Sequence, residues 1–211
     1  MRKLEIDDKK YNIPESFNEL TFETYCKIFY NLPTLKDDME DAEKFKMMKE
    51  NESIILSRVL GEKDNFCLDL PITVYNKLIN IIKYIFDVSE FEKNSKANIV
   101  IDGKHYGIPP VSEMALRRFI DADVVLNEQQ NNMQYIEMLA ILLSTKTKDG
   151  KWTPYDGKYE DMMGKLRDMP CSKVLPLVYH FFKKGEALQQ LSKAYMKMEG
   201  VNQLLQPIQG S

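Results

Sequence analysis

Several things are scarce in this chain of 211 residues, and each scarcity closes off a class of function. It has 3 cysteines and 2 histidines. Cys26, Cys67 and Cys171 are far apart and form no Cys-x-x-Cys pair, which argues against a disulfide framework and against a zinc site. His105 and His180 neighbour no Gly-x-Ser-x-Gly or comparable nucleophile motif, and both sit in stretches that packing explains. Phosphate-binding Gly-x-x-x-x-Gly-Lys and dinucleotide-binding Gly-x-Gly-x-x-Gly patterns are lacking. So is the alternation of acidic residues followed by Gly that a calcium loop needs, because Asp149-Gly150 and Asp156-Gly157 each stand alone. No run approaches the roughly 20 apolar residues of a membrane span, and Glu5 and Asp7 interrupt any apolar leader after Met1-Arg2-Lys3. A soluble protein made in a reducing cytoplasm is expected. The formal net charge of −3 leaves no basic field of the kind that carries non-specific nucleic-acid affinity.

What is present is a repeated pattern. Leu4-Glu5-Ile6-Asp7-Asp8-Lys9-Lys10-Tyr11-Asn12-Ile13-Pro14 returns 95 positions later as Ile99-Val100-Ile101-Asp102-Gly103-Lys104-His105-Tyr106-Gly107-Ile108-Pro109. In both copies apolar and polar residues alternate on either side of a short acidic or Asp-Gly turn, the signature of a β-hairpin with one buried face. Ile-Pro ends each copy and turns the chain away from helix. A second pair of anchors, Leu70-Pro71-Ile72-Thr73-Val74-Tyr75-Asn76-Lys77-Leu78 and Met169-Pro170-Cys171-Ser172-Lys173-Val174-Leu175-Pro176-Leu177, lies 99 positions apart. Together they point to an internal duplication.

Helical periodicity fills the intervals. Ser16 and Glu19 have capping-box spacing ahead of a helix whose Leu20, Phe22, Tyr25, Ile28 and Phe29 approximate one apolar face, stopped by Leu32-Pro33. The charged segment 36–52 reads as an exposed loop running into a helix. Ile54, Ile55, Leu56, Val59 and Leu60 then make an apolar helix core closed by Gly61. Pro71 opens a helix carrying Tyr75, Leu78, Ile79, Ile82 and Phe86. In the second half a helix starts near Ser112, with Leu116, Phe119, Ile120 and Val124 on one side, and residues 135–143 form another apolar helix. An insertion over 145–166 carries two Asp-Gly pairs, a proline and the only tryptophan, Trp152. It is either a functional loop or small hairpin, or a surface excursion whose Trp152 packs back on the domain. Its Lys146, Lys148, Lys151 and Lys158 flank Trp152 and Tyr155 as a nucleic-acid surface would, but Asp149, Asp156, Glu160 and Asp161 stand among them and weigh against that partner.

The expected fold class is α+β, mostly helical, with two hairpin-plus-helices units. The first unit spans 1–95 and the second 96–186 with the insertion. A terminal amphipathic helix over 187–199 and a loose tail over 200–211 follow. The terminal helix places Leu188, Leu191, Tyr195 and Met198 on a single stripe, which docks either on its own domain or on a partner helix.

In its first 90 residues or so the pattern resembles the tail assembly chaperones of tailed bacteriophages. The resemblance rests on a hairpin of the Leu-x-Ile-Asp-Gly-Lys-x-Tyr type and a helix start like Leu20-Thr21-Phe22-Glu23-Thr24-Tyr25. An apolar helix ending near Gly and a Leu-Pro-led helix complete it. It implies a non-catalytic protein of the infected cell's cytoplasm that binds phage tail or other virion proteins, with no cofactor and no membrane attachment. Partner contacts are then expected from Leu188, Leu191, Tyr195 and Met198, from Trp152, and with lower rank from Phe22 and Tyr25, which also suit the core. The doubling and the insertion depart from the family pattern. A structural virion protein of the neck, ring or baseplate is the alternative, and an accessory enzyme or host-directed protein ranks below both.

Overall fold

The structure, a computed structural model, describes residues 1–34, 36–128 and 134–181. It is a mixed, mainly helical α+β fold with two separate two-stranded sheets. Strands β1 (Arg2–Ile6) and β2 (Lys9–Ile13) pair antiparallel, with Ile6 opposite Lys9 and Leu4 opposite Tyr11. Strands β3 (Asn98–Ile101) and β4 (Lys104–Gly107) repeat that register, with Ile101 opposite Lys104 and Ile99 opposite Tyr106. Both turns hold two residues at positive φ, 48° and 64° at Asp7 and Asp8, 50° and 74° at Asp102 and Gly103. This turn geometry carries the twist of the flanking strands, and a short Asp side chain tolerates it.

Helix α1 (Phe22–Phe29) begins later than the Ser16 spacing predicts. Thr21 is its cap, its hydroxyl accepting from the Thr24 N–H at 3.2 Å. Glu19 instead accepts the Glu15 N–H at 2.8 Å, inside a turn. The reason is a long-range pairing that local spacing does not reveal. The Phe22 N–H donates to the Met169 carbonyl (2.8 Å) and the Cys171 N–H to the Leu20 carbonyl (2.9 Å), and between them Thr21 is held extended. The far end of α1 is tied down by Arg58, which donates to the Ile28 carbonyl at 3.1 Å and grips Asp64 through two bonds of 2.7 and 2.8 Å. Bonds to the last carbonyls of a helix complement its dipole.

The charged segment does run into a helix, but the helix is longer than expected: α2 spans Asp41–Val59. It closes at Gly61 (φ 73°), where the Glu62 N–H donates to the Ser57 carbonyl and the Gly61 N–H to the Arg58 carbonyl. That paired arrangement satisfies two orphan carbonyls, and glycine enters the left-handed region without steric cost. Pro71 precedes α3 (Ile72–Ile82), which buries Leu78 and Ile82. Phe86 does not join them and is 43% exposed, while Ile85 is buried. Over residues 83–86 the chain tightens into a 3₁₀ turn, whose three-residue period brings Ile85 rather than Phe86 into line with Ile82. A short helix, α4 (Ser89–Lys93), leads to the second hairpin.

The second half supplies α5 (Leu116–Glu128), α6 (Gln134–Leu142), α7 (Glu160–Asp168) and α8 (171–181). Ile136, Met138, Leu139, Ala140, Ile141 and Leu142 of α6 are all buried, so over 138–142 this helix is apolar on every side and lies in the core. It packs against α5, α7 and α1. One hydrophobic cluster joins Ile13, Phe22, Leu56 and Leu78 from the first half to Leu139, Leu142, Val174 and Leu177 from the second. The three cysteines are free and buried, and burial pushes the Cys26 thiol up to about 12. Among the described residues no helix is long and apolar enough to cross a membrane.

Candidate interaction site

Two surfaces stand out, both in the second half. The first is the outer face of α5. Leu116 (73% exposed), Phe119 (49%), Ile120 (48%) and Val124 (40%) do share one side of the helix, as their spacing predicts, but that side faces away from the core. The buried side consists of Arg118, Ala122 and Val125. Ala122 and Val125 are small enough to let α6 approach. Arg118 reaches the insertion, with its guanidinium 5.1 Å from the Tyr155 ring centroid and its Nη2 donating to the Thr153 carbonyl at 3.4 Å. A cation over a ring with few water contacts is a favourable anchor. The anchor therefore turns α5 so that its larger apolar side chains are outside.

The second surface is a groove of about 800 Å³ beside the second hairpin, lined by Lys104, His105, Tyr106, Lys146 and Trp152 among others. Thr145, Lys146 and Trp152 of the insertion contribute to its lining. Residues 145–153 fold into a small hairpin, with the Thr153 N–H donating to the Thr145 carbonyl (2.9 Å) and the Thr147 N–H to the Lys151 carbonyl (2.7 Å). This excursion is joined to β4 by a reciprocal pair, Gly107 N–H to Ser144 carbonyl and Ser144 N–H to Gly107 carbonyl, both 2.9 Å. Trp152 packs back on the hairpin, and a Cβ on Gly107 would lie 3.1 Å from its ring and 3.2 Å from the Ala97 carbonyl. The Lys146 ammonium sits 4.9 Å from the Trp152 ring centroid.

The expected contact residues are distributed unevenly. Trp152 is partly buried, with its ring packed against Gly107, and it lines the groove. Phe22 is 2% exposed and belongs to the core, which removes it as a contact because no partner reaches it. Tyr25 is partly buried, its ring 4.8 Å from Phe29 and 6.2 Å from Phe17; burial raises its hydroxyl pKa well above the ordinary value. It too serves packing. Leu188, Leu191, Tyr195 and Met198, with the helix expected over 187–199 and the tail over 200–211, lie outside the described residues.

Sequence reasoning grouped the α5 stripe correctly but had no signal for its direction, since Arg118, Ala122 and Val125 form an equally regular face. The groove residues Lys104, His105 and Lys146 were not singled out together, because the Gly107–Ser144 pairing that assembles them is non-local. Among the described residues no group of three or more His, Cys, Asp or Glu is placed to hold a metal ion. Comparison of the chain with protein-family models, curated proteins and solved structures finds no match.

Proposed function

We propose that this chain is a non-catalytic bacteriophage assembly protein that binds tail components in the manner of a tail assembly chaperone, using the outer face of α5. The observation that carries the reading is the stripe of Leu116, Phe119, Ile120 and Val124 left in solvent on a helix whose opposite side is packed. A contiguous apolar face of this kind is what shielding the apolar surface of an unassembled subunit requires, and it needs no nucleotide or metal. The hairpin pattern shared with the phage proteins supplies the class of partner. On this reading the repeated hairpin and the repeated Pro-led helix descend from one duplicated unit, and equal turn geometry in the two hairpins supports that.

The test uses the full chain as bait for purified tail tube and tape-measure proteins of the source phage. Phe119→Glu with Ile120→Glu is expected to abolish capture while far-UV circular dichroism stays unchanged, because both side chains are solvent-facing. Capture that survives the double substitution sinks the α5 assignment. Mass spectrometry of finished particles separates this reading from a virion component: absence from particles with presence in the lysate supports transient assembly help, and stoichiometric presence overturns it.

A further inference from the structure

We infer that the outer edge of β4 at His105 is a docking site for an extended acidic peptide of a partner protein, which adds to the second hairpin as a short strand. The inference rests on backbone valence and is independent of the α5 surface. In a hairpin closed by a two-residue turn, the pair flanking the turn exchanges hydrogen bonds, and the pattern then alternates. Ile101–Lys104 and Ile99–Tyr106 are therefore the bonded pairs, and the amide and carbonyl of His105 and Gly107 leave the hairpin on its outer edge. Gly107 bears this out, because both its groups are taken by Ser144.

From there an antiparallel ladder would continue two residues along each chain, pairing His105 with Lys146. It does not: Lys146 bridges to Trp152 instead, in a pair whose flanking bonds run between 145 and 153 and between 147 and 151. Lys146 is thus the non-bonded member on that side. Its own amide and carbonyl leave on the same side as those of Ser144, which reach β4. Among the described residues no backbone partner is present for the polar groups of His105 or of Lys146, and the groove is lined by both residues.

This edge differs from an ordinary exposed strand in having walls. Lys104 and Lys146 border the groove and no carboxylate among the described residues lines it, so its charge complements an acidic segment. Tyr106, Ile108, Pro110 and Trp152 offer apolar surface to the alternate side chains of such a segment. An alternating amide and carbonyl fits a peptide backbone, whereas a nucleic acid lacks the matching pattern, and this favours peptide over an oligonucleotide.

Trp152 is the only tryptophan, so its fluorescence reports on the groove directly. With the full chain, a short acetylated peptide of alternating valine and glutamate is expected to shift the Trp152 emission saturably. The same peptide should slow amide exchange at His105 by about tenfold or more, with the Tyr106 amide, already bonded to Ile99, unchanged. The lysine counterpart, a proline-interrupted acidic peptide and oligothymidylate should do neither. His105→Pro, which of the hairpin's backbone donors removes only the outward one, should abolish the response; if that variant loses its circular dichroism, Lys104→Glu with Lys146→Glu should weaken binding at least about tenfold by charge. The proposal is overturned by no saturable response to the acidic peptide, or by an equal response to the lysine peptide or oligothymidylate. Unchanged binding by the foldable variant, or a His105 amide already protected in the free protein, overturns it as well.

Discussion

Tyr11 and Tyr106 occupy the same rung of their hairpins, opposite Leu4 and Ile99, yet their rings meet different surroundings. Tyr11 is 6% exposed, its ring 6.4 Å from Phe66 and its hydroxyl donating to Glu62 at 2.8 Å. The turn that follows α2 closes over it, and Lys9 pairs with the same Glu62 carboxylate. Tyr106 borders the open groove. One rung along, Asn12 is exposed on a strand edge that carries Lys10 and bonds to no other backbone among the described residues, whereas Gly107 is buried beneath Trp152 and bonded to Ser144. Similar local sequences therefore give similar hairpins, and what each hairpin does is set by the segment that returns to it. The first is closed by a helix terminus and stabilises the fold. The second is met by an insertion that touches it at one pair and then diverges, leaving an edge with walls.

This contrast can be tested by breaking each hairpin at matched positions. The largest effect is expected at Tyr11: replacing it by Ala removes a buried ring and its hydrogen bond to Glu62, and should cost about 3 kcal/mol or more in urea denaturation. Tyr106→Ala should cost about 1 kcal/mol. Equal losses would erase the distinction between a closed and an open hairpin. Next, Gly107→Ala must displace Trp152 or the Ala97 carbonyl, with a loss of about 1–2 kcal/mol and a shift of the tryptophan emission. Asn12→Ala, at the matching exposed position, should stay within about 0.5 kcal/mol.

The smallest effect is a pH dependence at the first hairpin. Hydrogen bonds from Lys9 and then Tyr11 hold the Glu62 carboxyl below its ordinary value, so its contribution is present above about 4.5 and is lost as pH falls below that value. Burial, reinforced by the bond to Glu62, pushes the Tyr11 hydroxyl up to about 12. That contribution is complete below the ordinary tyrosine value and is lost as pH rises through about 12. Glu62→Gln should flatten the acid limb of a thermal-midpoint-against-pH profile. An acid limb that persists in Glu62→Gln would assign the effect to other carboxylates, such as Asp64 under Arg58.

Much of the local architecture was legible from side-chain periodicity. Both hairpins fall where alternation and turn residues place them, Gly61 ends α2, and Pro71 opens α3. These features depend on neighbours within a few residues, so the chain's own order carries the information. Readings failed where distant backbone intervened: the start of α1 moved from Ser16 to Thr21 because residues 169–171 pair with residues 20–22. They failed too where two helical faces were equally regular, as on α5.

The amino-acid order alone determined the hairpin registers, the caps of α2 and α3 and the mainly helical α+β class, because sterics and hydrogen-bond valence act over a few residues. Only the tertiary structure decided that Arg118 anchors the insertion and turns Phe119 and Ile120 outward. It alone decided that Phe22 is core, and that Gly107 meets Ser144 while His105 has no backbone partner among the described residues. Those outcomes follow from contacts between segments tens of residues apart, where packing and pairing choose among faces and edges that are locally equivalent.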